Sequence, residues 1–553
     1  MTALRLRRGA LAALTVAVLA ACSAIPTSGP VQEGNAEVAE PTDIDVLAEG
    51  PQPGDTPTEI VDGFLAAGAA GFSDGFNTAR EYLAGEAKAS WKPDAGVAVA
   101  GPLEYQPSTV ETEVTIDVPV KARVDEGGRY AEAAPEGSES VTFDMVQDDH
   151  DQWRIAALPD GLILQQEDFA RSFRPASLFF LSPDQKYLVP ESRWFPSKNL
   201  PTSIMTELLA GPSTWLQDAV DTAVPDGVEL NPQSVIVDDD GVAHVSLAPA
   251  LPVTRADRDL LLAQIDASLL PVKGIGSVQV DAGGVLLEAG GTKTLQGGNP
   301  PPSNVEFLQD DAIVALADNE VTPVPGLDTL AGLDPRSPAR SEDATIRVVL
   351  YGASVLSTVP TAAAPARTLL TGSGLVAPSV DRFGWVWTAE SPGGLVAVPT
   401  DGDPVHVAAP WLDGRTVRAV RVARDGVRIA IVSAGSDGVN IDVAAITRDE
   451  SGAPQQVGVP VRAGASVVDA SSVSWSDEST LAVVGRSTGN QAVHLVPVAG
   501  PTRALPEVAK LAAMAGGSVI YVTTTDGELR KFVGSTWAQV LGVKGASYPF
   551  FPG

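Results

Sequence analysis

Asp381-Arg382-Phe383-Gly384 stands directly before Trp385-Val386-Trp387, and the same order of polar turn and apolar run returns twice more. It recurs as Arg424-Asp425-Gly426 before Arg428-Ile429-Ala430-Ile431-Val432, and as Ser476-Asp477-Glu478 before Leu481-Ala482-Val483-Val484. Gly516-Gly517 before Val519-Ile520-Tyr521-Val522 is a weaker copy. In each, a second apolar run follows a glycine-containing turn, at Leu395–Val398, Val439–Ile446, Val493–Val498 and Leu529–Phe532. Runs rich in Val and Ile and bounded by Asp, Gly and Ser read as strands. Their spacing of about 40 to 50 residues is the blade length of a β-propeller, so residues 300–553 hold about six blades, plus or minus one. A pair of β-sandwiches competes with this reading, but four similarly built copies in a row fit poorly into a Greek key of ~100 residues.

Toward the N-terminus, after a Pro-, Gly- and Thr-rich linker of roughly ten residues beyond Gly290, the pattern changes to helices mixed with strands. Residues 169–290 read as a small α/β domain. Leu178-Phe179-Phe180-Leu181 and Tyr187-Leu188-Val189-Pro190, separated by Ser182-Pro183-Asp184, predict a hairpin. A helix over Ser203–Ala210 ends at Gly211-Pro212. Strands at Val235–Val237 and Val242–Leu247 flank the turn Asp238-Asp239-Asp240-Gly241. A longer helix, 256–270, places Leu261, Ile265 and Leu269 on one face, and strands at Val278–Val280 and Val285–Leu287 close the unit.

Residues 56–168 read as an α+β domain, faintly similar to the NTF2-like cone. Thr56-Pro57-Thr58-Glu59 has the form of a capping box with proline at the first helical position, which predicts a helix burying Ile60, Val61, Phe64 and Leu65. A second helix carries Ala79, Tyr82 and Leu83 and stops at Gly85. From Thr109 to Val124, Val110, Val114, Ile116, Val118, Val120 and Val124 share one parity, as a half-buried strand requires. Val141–Val146 and Trp153–Leu158 extend that sheet.

The first 55 residues have a different character. Arg5, Arg7 and Arg8 precede an apolar run from Gly9 to Ala21, which matches a signal peptide over residues 1–21. The run is too short to span a bilayer, which takes ~20 residues. It ends at Leu19-Ala20-Ala21-Cys22, and Cys22 is the single cysteine of 553 residues. This tetrad resembles the lipobox of bacterial lipoproteins, which implies cleavage before Cys22, an S-diacylglycerol on its thiol and an acyl chain on the new amine. Residues 22–55, rich in Pro, Gly and acids, then read as the lipidated N-terminus and a flexible tether. A secretory leader with an incidental cysteine and a true membrane helix are the alternatives.

The formal net charge is −32, and removing the leader takes away three more positive charges and no acid. Such a chain lacks the basic footprint of a nucleic-acid binder and is repelled by anionic lipid head groups, so membrane attachment rests on acyl chains. Each buried CH₂ contributes about 0.8 kcal/mol, and two or three chains hold where one binds reversibly. With no second thiol there is no disulfide, and stability comes from packing.

No constellation of catalytic residues emerges, and the chain reads as a non-enzyme needing no cofactor. His150, His244, His406 and His494 are scattered singly, and no HExxH, GxSxG or phosphate-binding loop occurs. Asp148-Asp149-His150-Asp151 and Asp238-Asp239-Asp240-Gly241 offer oxygen to Ca²⁺, but they stand between strands and lack the loop of an EF-hand, so turn geometry accounts for them. Asp381, Asp425 and Asp477 recur at one turn of successive blades, which assigns them to the turn rather than to an acid–base pair.

The order of segments, together with particular residues, resembles the LpqB family of actinobacterial lipoproteins. Leu188-Val189-Pro190-Glu191-Ser192-Arg193, Leu208-Leu209-Ala210-Gly211-Pro212 and Val224-Pro225-Asp226-Gly227 look like the strand, helix end and loop of a GerMN domain. Trp91-Lys92-Pro93 fits the family's N-terminal domain, and residues 300–553 its propeller. The resemblance carries over one functional residue, Cys22. It implies a membrane-anchored accessory of a two-component system that binds the extracellular region of the sensor kinase MtrB. A cell-wall glycan binder is the other expectation, and Trp91, Trp194, Trp215 and Trp411 are its candidate stacking residues.

Overall fold

The computed structural model describes residues 48–108, 110, 112–250, 255–291, 295–297, 304–391 and 394–553. The leader, Cys22, Thr109 and most of the tether lie outside the described residues.

The N-terminal domain opens on α1 (Pro57–Ala70), whose capping box is complete: Thr56 Oγ1 accepts from Glu59 N–H at 3.4 Å while Glu59 Oε2 accepts from Thr56 N–H at 2.8 Å. Ile60, Val61 and Phe64 are buried and Leu65 is partly buried. After α2 (Asn77–Glu81), Gly85 does not stop a helix as expected; at φ +55° it opens α3 (Gly85–Ser90). A left-handed glycine serves a helix end or a tight entry equally, and sequence does not separate the two. The sheet comprises β1 (Gly96–Ala100), β2 (Glu104–Tyr105), β3 (Glu113–Asp125), β4 (Tyr130–Glu132), β5 (Ser138–Gln147), β6 (Trp153–Ala157) and β7 (Leu162–Gln165). Its order is β6-β5-β3-β1-β7, with β2 and β4 also on β3. Val114 through Val124 alternate inward along β3, but the strand starts at Glu113, and Val110 ahead of it is exposed.

Residues 48–55, which composition places in the tether, belong to this domain. Tyr82 Oη donates to the Glu49 carbonyl at 2.8 Å and Gly54 N–H donates to Gln152 Oε1 at 2.7 Å. Their Pro and Gly content suits an irregular segment bonded to a neighbour as well as it suits a coil.

A short helix, α4 (Gln166–Ser172), leads into the second domain. Its hairpin is twice as long as expected, with β8 (Phe173–Leu181) and β9 (Leu188–Pro196) paired along nine residues each. The extra length contains Ser177, Ser192, Glu191 and Arg193, whose polarity hid it. Helix α5 (Leu200–Ala210) buries Ile204, Met205 and Leu208. A separate sheet of β10 (Glu229–Leu230), β11 (Ile236–Val237), β12 (Val242–Ala248), β13 (Ser277–Ala282) and β14 (Val285–Leu286) follows. The parallel pair β12–β13 is crossed by α6 (Arg255–Leu269), on which Leu261, Ile265 and Leu269 are fully buried at the expected fourfold spacing.

The third domain is a ring of six four-stranded antiparallel sheets, the fourth carrying one extra strand. Innermost strands Pro335–Arg340, Ser379–Val380, Thr416–Val422, Asp469–Trp475, Leu511–Ala515 and Ser547–Phe550 each touch the next, and the last touches the first. The C-terminal strand Ser547–Phe550 pairs with Glu306–Gln309, so one blade is built from both ends of the domain and closes the ring. Closure removes the sheet edges that a stack of strands would expose.

Candidate functional site

The recurring turn explains its own sequence. Asp381 Oδ1 accepts from the Phe383 and Trp385 amides at 2.9 and 3.0 Å, Asp425 Oδ1 from Val427 and Arg428 at 2.7 and 3.0 Å, and Asp477 Oδ1 from Ser479 and Thr480 at 2.8 and 2.7 Å. Each carboxylate satisfies two turn amides that the ladder cannot. Asp343 is a fourth turn carboxylate, disguised by its Ser341-Glu342 lead: its Oδ1 accepts from one amide, that of Thr345 at 3.1 Å, and from the Thr345 and Ser341 hydroxyls at 2.8 and 2.6 Å. Two of these aspartates also neutralise buried arginines. Asp381 Oδ2 takes Arg448 at 2.6 Å and Trp387 Nε1 at 2.8 Å, and Asp425 Oδ2 takes Arg428 at 2.7 Å.

These turns face the second domain, and the arginines beside them hold it in place. Arg382 sends two parallel hydrogen bonds of 2.7 and 2.8 Å to Asp184 in the β8–β9 turn, and its guanidinium lies 4.5 Å from the Tyr187 ring and 4.0 Å from that of Phe383. Burial alone would raise the Asp184 carboxyl, but the hydrogen bonds from Arg382 and Ser182 and the Arg382 charge overcome it and hold the pKa at about 2. Arg428 donates to the Pro190 carbonyl at 3.3 Å while packed 5.0 Å from the Trp475 ring. The interdomain segment joins in, because Gln296 N–H donates to the Lys186 carbonyl and its own carbonyl receives Leu188 N–H, both at 2.8 Å.

A second junction binds all three domains. Trp194 packs against Phe169 and Tyr130, with ring centroids 5.0 and 5.5 Å away, and donates Nε1 to the Ala499 carbonyl at 2.8 Å. Glu132 on β4 accepts from Thr502 Oγ1 at 2.7 Å and from Ser466 Oγ at 3.2 Å. Beneath them Arg193, 1% exposed, pairs with Glu191 at 3.1 Å and Glu207 at 2.6 Å and reaches the Gly127 carbonyl at 3.2 Å. Ser213, just past the Gly211-Pro212 stop, donates its hydroxyl to Glu191 Oε1 and its amide to Oε2. The Pro190–Arg193 and Ala210–Ser213 motifs are therefore two halves of one buried polar network.

The blade turns and the hairpin line a cavity of about 320 Å³ between the propeller's channel mouth and the second domain. Tyr187 and Leu188 wall one side, and Val380, Val422, Trp475 and Phe551 the other. Sequence reasoning found its turn residues but not the cavity, because the facing hairpin lies about 200 positions away along the chain.

The remaining candidates are not gathered together. His150 is exposed in a turn shaped by Asp148, His244 bonds Asp238 at 2.8 Å, and His406 is exposed on an outer strand. His494 is buried, its pKa pushed down by desolvation. Among the described residues no group of three or more His, Cys, Asp or Glu side chains is placed to hold a metal ion. Trp91 is buried, while Trp194, Trp215 and Trp411 are half-buried against hydrophobic clusters, so none forms an open stacking face. No helix among the described residues is long and apolar enough to cross a membrane.

An α+β domain, a small α/β domain seated on a channel mouth and a six-bladed ring define a multidomain propeller protein. Family models match each part: the lipoprotein LpqB N-terminal domain over residues 50–170, a sporulation and spore germination (Germane) domain over 177–288, and the lipoprotein LpqB β-propeller domain over 311–552. The chain belongs to the LpqB lipoprotein family. It is 30% identical to lipoprotein LpqB of Streptomyces coelicolor over 564 residues, covering 92% of this chain and 90% of that one. It is 28% identical to the Streptomyces avermitilis protein over 606 residues, covering 99% and 98%. Among solved structures, a nidogen/laminin complex aligns at TM-score 0.32 and 11% identity, covering 45% of this chain and 93% of that one. None of the matching family models describes an enzyme.

Proposed function

We propose that this chain is an acylated lipoprotein on the outer face of the cytoplasmic membrane, and that its folded body is a non-catalytic accessory of a two-component system. In this reading residues 1–21 are removed, Cys22 carries the lipid, and the segment up to about residue 47 tethers the body. The partner is the extracellular region of the sensor kinase MtrB. The observation that carries the reading is the clasping of the three domains by the Asp184–Arg382 ion pair and by the hydrogen bonds of Arg193 to Gly127, Trp194 to Ala499 and Thr502 to Glu132. A body fixed in this way presents one composite surface rather than three independent modules, which lowers the ordering cost of docking. Family membership supports the lipid anchor.

The test mixes the detergent-solubilised full chain with the extracellular region of the kinase. Co-elution at micromolar concentration is expected, and no complex at that concentration overturns the partner. The anchor is tested separately: Cys22→Ser leaves the membrane fraction, and a variant that still sediments with membranes refutes lipidation at this residue.

A further inference from the structure

One blade turn on the cavity wall departs from its neighbours. Four turns of the ring carry an aspartate whose carboxylate accepts a turn amide, at Asp343, Asp381, Asp425 and Asp477. In the fifth blade the turn between Leu511–Ala515 and Tyr521–Thr524 reads Gly516-Gly517-Ser518-Val519-Ile520 and holds no acid. Gly517 and Ser518 line the cavity, and among the described residues their amides have no hydrogen-bond partner. A Cβ at Gly517 would come within 2.9 Å of the Phe551 ring, so the ring occupies the place where a capping side chain would begin.

The charges around the cavity are already spoken for. Each of its five arginines bonds an oxygen of the protein. Arg340 pairs with Glu306 at 2.8 Å, Arg382 with Asp184, Arg424 with Glu342 and Arg428 with Asp425, each at 2.7 Å, and Arg421 Nη1 donates to oxygens of Pro378 and Gly553 at 3.0 and 3.1 Å. Five acids among the lining residues balance the five arginines. A charged ligand would shed its hydration here without gaining a free countercharge, and an anion would also meet the field of a chain of net charge −32. An uncharged ligand escapes both costs.

A volume of about 320 Å³ lies at the small end of the range for ligand sites. Tyr187, Trp475 and Phe551 offer ring surface to an apolar body. The two amides call for an acceptor oxygen, doing what the aspartate does in the other blades. We infer that the cavity binds a small uncharged molecule with an aromatic or aliphatic body and a carbonyl oxygen. The oxygen takes the Gly517 and Ser518 amides, and the body lies between the hairpin and the propeller turns. This site is independent of the kinase-binding reading, since neither needs the other.

Calorimetry titrates the full chain in lipid nanodiscs, where no detergent competes for the cavity, against a blank of empty nanodiscs. The probes are 3-phenylpropanamide, 3-phenylpropanoate and 3-phenylpropylammonium. Saturable binding of the amide is expected at sub-millimolar concentration, with both ions at least tenfold weaker. Ser518→Pro, which deletes one amide donor, weakens the amide probe at least fivefold, whereas Ser518→Ala keeps the N–H and leaves binding unchanged. Should Ser518→Pro fail to fold, Ser518→Trp at the exposed rim serves instead and abolishes binding. Absence of saturable amide binding overturns the proposal. So does equal or tighter binding of either ion, or unchanged binding in the proline variant or in the tryptophan variant that replaces it.

Discussion

Removing the carboxylate of Asp184 should unfasten the hairpin from the propeller, and its cost follows from the structure. The carboxyl is held at about 2, against about 3.9 in an unfolded chain, and the side chain is only 26% exposed. A lowered folded-state pKa means that the folded protein prefers the ionised form. The contribution is therefore complete above about pH 4 and is lost as pH falls through about 2. The gap of nearly two units corresponds to about 2 kcal/mol at pH 7, falling to roughly half that at pH 3. Asp184→Asn should lower stability by this amount in urea unfolding followed by tryptophan fluorescence, with the deficit shrinking between pH 7 and pH 3. Arg382, 11% exposed, is then left without its partner, so Arg382→Met in the same chain should recover part of the loss. Amide exchange of Gln185, Lys186 and Tyr187, whose N–H groups bond Ser182, should quicken in the single variant. A deficit under about 0.5 kcal/mol, or one equal at both pH values, would refute the clasp as an energetic element.

Asp442, on the fourth blade, should show the opposite sign. Burial pushes its carboxyl up to about 6 against the opposing pull of Arg462 and Arg415, so the folded chain loses stability as pH rises from about 4 to 6. Asp442→Asn should therefore gain about 2 kcal/mol at pH 7 and nothing at pH 4 in paired urea curves, and a loss at pH 7 would contradict the assignment. Arg193→Met should cost about 3–5 kcal/mol because it strands Glu191, which is 3% exposed, beside Ser213. Urea midpoints check this, and a change below about 1 kcal/mol would mean that the network is not held by its ions.

What could be read in the sequence was whatever a local rule dictates. Alternation along Glu113–Asp125 places Val114, Ile116 and Val118 inside because a strand has period two, and nothing distant is needed to see it. The blade turns were legible because Asp381, Asp425 and Asp477 each meet the amides two to four residues on. Where the same turn opens with Ser341, the repeat disappeared from view, because Asp343 takes the Thr345 amide and Ser341 Oγ takes that of Ile346. The closing blade was illegible for a different reason: Ser547–Phe550 and Glu306–Gln309 come from opposite ends of the domain. Gly85 shows the limit of punctuation, since a positive φ marks a break in the chain without saying on which side of it the helix lies.

The junctions show why a chain with so large an acid excess places so many of its arginines indoors. Acids on its surface repel one another and need no partner from a neighbouring domain, so they cannot specify how two domains meet. A buried arginine can, because it must find a carboxylate in a fixed place or lose several kcal/mol. Arg382 finds Asp184 across 198 positions of sequence, and Arg193 finds Glu191, Glu207 and the Gly127 carbonyl together. Motifs that looked like markers of a fold are on this argument the terms of its assembly. Glu191-Ser192-Arg193 is required because the third domain sits on the second through Pro190 and Trp194, and shifting the strand by one residue would turn Glu191 and Arg193 together away from Glu207 and Ser213.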